Sequence, residues 1–305
     1  MFYINHEFIS SEFVPIFLFL IQGNNLKIEI FFALFSLFSL GCSDFLYKLS
    51  HKWEVKPSTF MLFQNFSFLP VAFGVAYYRE ELIWNNFLLL GFVNGFMAFS
   101  AFLFVLFSLK NSAAISIVTI IRLYFIFTSL LAIVFLGEDL SLYKMLAIFL
   151  CVIAILSIGF DKSFLPRDKS SFYYALLSMC LFGLIGFFIK LSLNFGALPS
   201  GMIAAQTFGV FSLTIPYVFI CREKLPQKKL SLTLPFFCGI LTYASYLSLS
   251  FALVYGEAIV VTPIAQLSFV FTGILSVLFF KERLSLKKGL GISFAILAVL
   301  ILSFD

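Results

Sequence analysis

Arg122 stands within TIIRLYFIF (119–127), with apolar turns on both sides. Placing a charge in hydrocarbon costs about 2.5–3.5 kcal/mol on insertion scales, so an arginine here needs a partner or a wet cavity. Its planar fork of N–H donors suits a substrate carboxylate or phosphate. The competing role is structural, with the guanidinium tied to an acid or to carbonyls of a neighbouring helix. At 100° per residue, Thr119, Arg122 and Ser129 share one side of a helix. Pro263, Gln266 and Gly273, each 144 residues further on, make a matching stripe.

Polar residues in other apolar runs extend the substrate-binding candidates to Tyr124, Gln64, Gln206, Tyr243, Tyr246 and Asn94. For the glutamines, interhelical hydrogen bonding competes with cavity lining. Asp44 lies four residues before Lys48, the spacing of a local ion pair. Either Asp44 neutralises a lysine that reaches for the interface, or it takes up and releases a proton and so couples to a proton gradient. Lys190 has no acid four residues ahead of it, so snorkelling is its expected role. Glu138 and Glu282 end apolar runs, where loop ordering or capping of the next helix is expected. Pro263 removes a backbone hydrogen bond and is expected to kink its helix, a break of the kind that marks ligand sites in membrane helices. Gly91 and Gly95 form a GxxxG, a signal of close helix packing.

No Walker loop, histidine metal motif or nucleophile elbow occurs. His6 and His51 lie outside the apolar runs, and the five cysteines form no CxxC. Neither a metal nor a cofactor is expected. Asp44 is almost the sole deep carboxylate, so the chain is expected not to be an enzyme. A channel would more naturally show rings of charge.

Membrane helices are what must position these residues. The 305 residues are 62% hydrophobic and 11% charged, with mean hydropathy +1.07. Soluble domains carry about a quarter charged residues, so this is an all-α integral membrane protein. A transmembrane helix needs roughly 20 apolar residues. Runs of this kind occur near 30–49, 58–78, 86–108, 113–136, 143–160, 172–193, 200–220, 233–253, 257–280 and 289–304, which predicts ten transmembrane helices. They are continuous rather than alternating, which argues against a β-barrel. Residues 1–29 form a separate N-terminal segment. Its FVPIFLFLI (13–21) follows Glu7 and Glu12 with no cation ahead, unlike a signal peptide. An interfacial stub or an extra short span is expected there.

The chain repeats itself. At an offset of 144, Phe127-Thr128 meets Phe271-Thr272, Glu138 meets Glu282, and Lys144 meets Lys288. At 142, Gly41 and Lys48-Leu49-Ser50 meet Gly183 and Lys190-Leu191-Ser192, and Gln64 meets Gln206. Polar matches in register mark a duplication of a five-helix unit, 30–161 and 172–305. Five is odd, so the second copy should be inverted relative to the first, a recurrent plan of secondary transporters. The homologous loops agree: GEDLSLYK (137–144) carries one cation and two anions, KERLSLKK (281–288) four cations and one anion. Loops after odd-numbered spans hold fifteen Lys and Arg, the opposite side three. The positive-inside rule then puts the odd loops in the cytoplasm and the C-terminus outside.

FLGEDLSLYKMLAIFLCVIAIL (135–156) and FFKERLSLKKGLGISFAILAVL (279–300) resemble the signature of the EamA-type branch of the drug/metabolite transporter superfamily. EAIVVTPIAQLSFVFTGILSVLFFKERLS (257–285) is the strongest stretch, and the resemblance covers about 30–305. Two features depart from it. Lys281 stands where the family usually has Gly, and the family's termini are cytoplasmic. The resemblance implies two inverted five-helix bundles, a central cavity and alternating access, with cargo such as amino acids, nucleotides or sugars, often moved outward. The expected function is a secondary active transporter, an exporter of small metabolites such as amino acids or their derivatives. The alternatives are a translocator of lipid-linked sugars or other lipids with the same fold, or a non-transporting membrane sensor. Expected partners are the lipid bilayer and a small-molecule substrate, with proton coupling left open, no nucleic acid, and a monomer or homodimer. The expected location is a bacterial inner (plasma) membrane.

Overall fold

The structure, a computed structural model, describes residues 27–52, 57–83, 85–109, 114–159, 169–221, 229–280 and 286–304. Every regular element among them is a helix, which keeps all backbone hydrogen bonds within the segment, as hydrocarbon requires. The first repeat holds α1 (Ile28–Lys52), α2 (Pro57–Tyr78), α3 (Asn86–Leu109), α4 (Ala114–Arg122), α5 (Tyr124–Leu131, continued as a π-turn over Ala132–Leu136) and α6 (Leu142–Gly159). The second holds α7 (Lys169–Asn194), α8 (Pro199–Cys221), α9 (Lys229–Tyr255), α10 (Ala258–Gln266), α11 (Ser268–Phe280) and α12 (Leu286–Phe304). Eight segments are long and apolar enough to cross a membrane, with α4–α5 and α10–α11 each counting as one. The two shorter apolar helices, α6 and α12, are repeat equivalents of one another. The N-terminal segment expected over 1–29 lies almost wholly outside the described residues, as does Glu282.

Packing between the halves is exchanged when the repeats are swapped. α1 packs on α9 as α7 packs on α3, α2 packs on α9 as α8 packs on α3, and α1 lies along α10–α11 as α7 lies along α4–α5. α2 meets its own equivalent α8, and α6 meets α12. The same exchange holds atom by atom. Thr272 Oγ1 donates to the Gly41 carbonyl at 3.0 Å, and Thr128 Oγ1 to the Gly183 carbonyl at 3.0 Å. At both glycines the facing ring, Phe271 or Phe127, lies so near that an added Cβ would sit 2.6 or 2.7 Å from it.

The α4–α5 and α10–α11 segments break at equivalent residues. Leu123 N–H donates to Ile120 O at 3.1 Å, and Leu267 N–H donates to Ile264 O at 3.1 Å. Each is a 3₁₀ turn between two α-helices, and at the second the Leu267 N–H is shared with Pro263 O at 3.3 Å. Helix α10 runs through Pro263, within Ala258–Gln266. The break falls four residues later, and it recurs in the first repeat, where Thr119 occupies the equivalent position.

The GxxxG of α3 sits against α8. A Cβ on Gly95 would lie 2.3 Å from Gln206 O and 2.7 Å from Gly209 Cα; the equivalent Gly239 would meet Gln64 O at 2.4 Å. Backbone cannot yield there as a side-chain tip does, and overpacking of this kind costs about 1–3 kcal/mol. Gly95→Ala is expected to lower the melting temperature in detergent. Gly74→Ala, where nothing lies within 4 Å, is expected to leave it unchanged or raise it.

Candidate functional site

Arg122 is the ninth and last residue of α4, and Gln266 the ninth and last of α10. The two 3₁₀ turns bring these equivalents together. Arg122 Nη1 donates to Gln266 Oε1 at 3.2 Å and to Ser268 Oγ at 3.1 Å. Gln266 Nε2 donates to Tyr124 Oη at 2.6 Å. Tyr124 and Ser268 are themselves equivalents, so the contacts cross-link the two breaks reciprocally. Arg122 Nη2 donates to Asp44 Oδ2 and completes an ion pair with α1. The phenol of Tyr246 lies within electrostatic reach of both charges.

Asp44 thus pairs with Arg122, and the Asp44–Lys48 pair suggested by spacing is corrected. Lys48 Nζ instead donates to Ser276 Oγ on α11 at 3.0 Å. A lysine near a helix end can find water or hydroxyls, whereas a guanidinium a third of the way into a span has to be neutralised where it stands. Ser268 was not among the candidates, although it sits two residues from Gln266 as Tyr124 sits two from Arg122.

The other candidates are dispersed. Gln64 Nε2 donates to Thr242 Oγ1 at 3.1 Å and to Cys238 Sγ at 3.7 Å, in a small network that includes Ser43. Asn94 is fully buried, and its amide has no hydrogen-bond partner among the described residues. Asn94 is the equivalent of Cys238, and Ile185 stands where Ser43 would answer it. Ser178 is orphaned in the same way, because the Ser36–Ser245 bond (2.9 Å) has Ala101 in place of Ser245 on the other side. Gln206 is buried on α8 with its carbonyl against Gly95. Tyr243 packs edge-on against Phe68 at 5.5 Å.

A second polar network closes one end of the bundle. Gly137, with φ +69°, turns the chain out of the π-turn and delivers Glu138. Its carboxylate accepts the Ala258 N–H at 2.8 Å and the Ile259 N–H at 2.9 Å. Of the two roles expected, capping of the following helix is corrected: Glu138 caps α10, in the other repeat, where its charge meets the positive end of a helix. Lys144 Nζ reaches Glu257 Oε2 at 2.5 Å and Asp139 O at 3.1 Å. Lys190 does not snorkel; it is buried, and its Nζ donates to Leu253 O in the last turn of α9 at 2.7 Å and to Gly256 O just past its end at 2.8 Å. Beside these, Glu81 accepts from the Ser200 N–H at 2.7 Å and from its hydroxyl, and from Arg79 Nε at 2.7 Å.

The model of the EamA-like transporter family matches residues 27–160 and again 169–304. No curated protein matches the chain. Several solved structures do. One, described only as the crystal structure of a protein, aligns with a TM-score of 0.78 over 90% of this chain and 96% of its own, at 11% identity. At that identity the likeness speaks to the fold.

Proposed function

The chain belongs to the EamA-like transporter family, and on that premise we propose that it is a secondary active exporter of small metabolites such as amino acids or their derivatives. It is a multi-pass membrane protein. In the proposed arrangement all ten spans cross the bilayer as two inverted five-helix repeats, in a bacterial inner membrane. The shorter α6 and α12, at 18 and 19 residues, are about 27–28 Å long at 1.5 Å per residue, close to the hydrocarbon thickness.

One observation carries the reading: equivalent residues Arg122 and Gln266 hydrogen-bond to each other at two helix breaks that occupy equivalent positions. Equivalents can touch only where the relation between the repeats passes through them. Broken helices meeting at such an axis are where transporters of inverted-repeat design hold their cargo. Arg122, Asp44, Gln266, Ser268, Tyr124 and Tyr246 are the proposed binding residues. Alternating access then consists of the repeats tilting about this centre, each end opening in turn.

The proposal is tested in two steps. Cysteines placed singly in 137–144 and in 281–288, in a background without native cysteines, are expected to react with a membrane-impermeant maleimide from opposite faces. Labelling from one face would exclude inversion. In proteoliposomes loaded with mixed amino acids, nucleotides and sugars, saturable counterflow of a soluble metabolite is expected. Activity confined to lipid-linked sugars would move the protein to the lipid-translocating alternative.

A further inference from the structure

Away from the centre, Lys190 is a buried ammonium group with no direct counter-ion. The residue is 7% exposed, and no carboxylate among the described residues comes within salt-bridge distance of it. Its Nζ rests instead on two backbone carbonyls, Leu253 O at 2.7 Å and Gly256 O at 2.8 Å. Both lie where α9 ends, and no backbone N–H among the described residues takes either of them. Carbonyls at a helix C-terminus are left over by the helix itself and carry its negative end. Leu253 is 1% exposed, so the cradle lies inside the bundle. The carboxylates of Glu138 and Glu257 act on Nζ from further off. Glu29 of α1 packs so closely on Gly256 that a Cβ added there would lie 2.7 Å from its side chain.

These surroundings fix the charge of what the cradle holds. Lys144 already pairs with Glu257, and the Glu138 carboxylate sits on the N–H groups of α10 rather than on a cation. Without the Lys190 charge, Glu29, Glu138 and Glu257 face Lys144 alone, beside the negative end of α9. A cation completes the set, and an anion would meet like charge from every side. Helix-end carbonyls inside a membrane are what monovalent ions take at broken helices. A divalent ion such as calcium asks for six or more oxygens, and two carbonyls do not supply them. The equivalent lysine shows why Lys190 turns to α9. Lys48 donates to Ser276 Oγ at 3.0 Å, and Ala132 stands at the position equivalent to Ser276, with no hydroxyl to offer.

We infer that the carbonyls of Leu253 and Gly256 form a binding site for a monovalent cation, and that Lys190 fills it as a tethered one. A dissolved ion would have to be captured from water each time such a site is filled. Here the ammonium is carried on α7, so this end of the bundle closes without a dissolved cation. The site stands whether or not the chain transports. On the transport function proposed above, Lys190 leaves and re-enters the cradle as this end opens and closes, because it ties α7 to the connection between α9 and α10.

Chemical rescue tests this. Lys190→Ala removes every atom beyond Cβ, and n-propylammonium supplies those same atoms. Melting in detergent is compared in n-propylammonium, methylammonium, sodium and choline chlorides at equal ionic strength, and in choline chloride with 1-propanol. Lys190→Ala is expected to melt below the unaltered protein in choline chloride. n-Propylammonium is expected to restore at least about half of the lost melting temperature, and to do so saturably, as binding at one site requires. Methylammonium and sodium, which reach the cradle but leave the path of the side chain empty, are expected to restore less. 1-Propanol has the chain without the charge and is expected to restore nothing. The unaltered protein is expected to melt alike in all five. Lys190→Met keeps the chain in place without the charge, and is expected to melt low and stay low. A Lys190→Ala protein that melts as the unaltered one does, or equally in choline and n-propylammonium, would overturn the site. So would rescue by 1-propanol, an equal gain in Lys190→Met, or Lys190→Ala that cannot be recovered folded even when purified in n-propylammonium chloride. None of these readings depends on transport, so a chain without counterflow would still answer them.

Discussion

Replacing Arg122 by alanine is expected to bring counterflow to the protein-free background and to lower stability by about 3 kcal/mol, the low end of what removing one partner of a buried ion pair costs. Three contacts go at once: Asp44, Gln266 and Ser268 all lose their donor. The largest part of the stability loss comes from Asp44, left charged without a counter-ion in an apolar bundle. The double variant Arg122→Ala/Asp44→Ala therefore should recover most of the stability, because no charge remains to compensate. It should not recover transport. Arg122→Lys separates the two roles further. A lysine keeps the charge beside Asp44 but, as a compact point charge, cannot hold both Gln266 and Ser268 in the plane of a fork. Its melting temperature is expected near that of the unaltered protein, with counterflow at least about tenfold slower. Detergent melting curves and initial counterflow rates on the four proteins supply the comparison. Full transport by Arg122→Ala would take the centre away from this site.

What could be seen in the residues beforehand, and what could not, divides along a physical line. Arg122 and Gln266 were visible as a pair because the duplication puts them at one position. Depth in an apolar run flagged the arginine without any structure. The identity of its counter-ion was not visible. Asp44 lies 78 residues away, and the local i,i+4 spacing to Lys48 offered a nearer partner. Helix spacing says which residues share a face; it does not say which other helix that face meets. The breaks at Leu123 and Leu267 were equally silent, since hydropathy runs unbroken through them and the one proline nearby is misplaced by a turn. Glu138 was legible as a helix-end carboxylate, but capping rules look to the next helix in the chain, and here the inter-repeat exchange supplies a distant one. The orphaned Asn94 and Ser178 became intelligible only through that same exchange. Their counterparts Cys238 and Ser36 have hydroxyl partners, and the equivalent partner positions on the other side are Ile185 and Ala101.

Removing the Glu138 carboxylate is expected to loosen the closed end of the bundle more than breaking the ion pair beside it. Glu138→Ala deletes two hydrogen bonds from backbone N–H groups to a charged acceptor, at 2.8 and 2.9 Å, each worth about 1.5–3 kcal/mol. Water can replace part of that at a helix end, so the net loss is about 2–4 kcal/mol. The Lys144–Glu257 pair is shorter, at 2.5 Å, but the Glu257 side chain is 40% exposed. Pairs so exposed contribute about 0–1 kcal/mol, so Lys144→Met is expected to shift the melting temperature little. The difference matters for transport because Glu138 joins the loop that ends one repeat's broken span to the start of the other's. In the proposed alternating access, opening this end has to part Glu138 from Ala258 and Ile259. A cysteine at Val261, fully buried one turn inside α10, reports on that parting in a background without native cysteines. Its reaction with a small maleimide is expected to accelerate at least about tenfold in Glu138→Ala, the factor that 1.4 kcal/mol in the opening equilibrium provides, and less than twofold in Lys144→Met. Equal rates in the two would show that the cap holds only a loop, and that this end opens elsewhere.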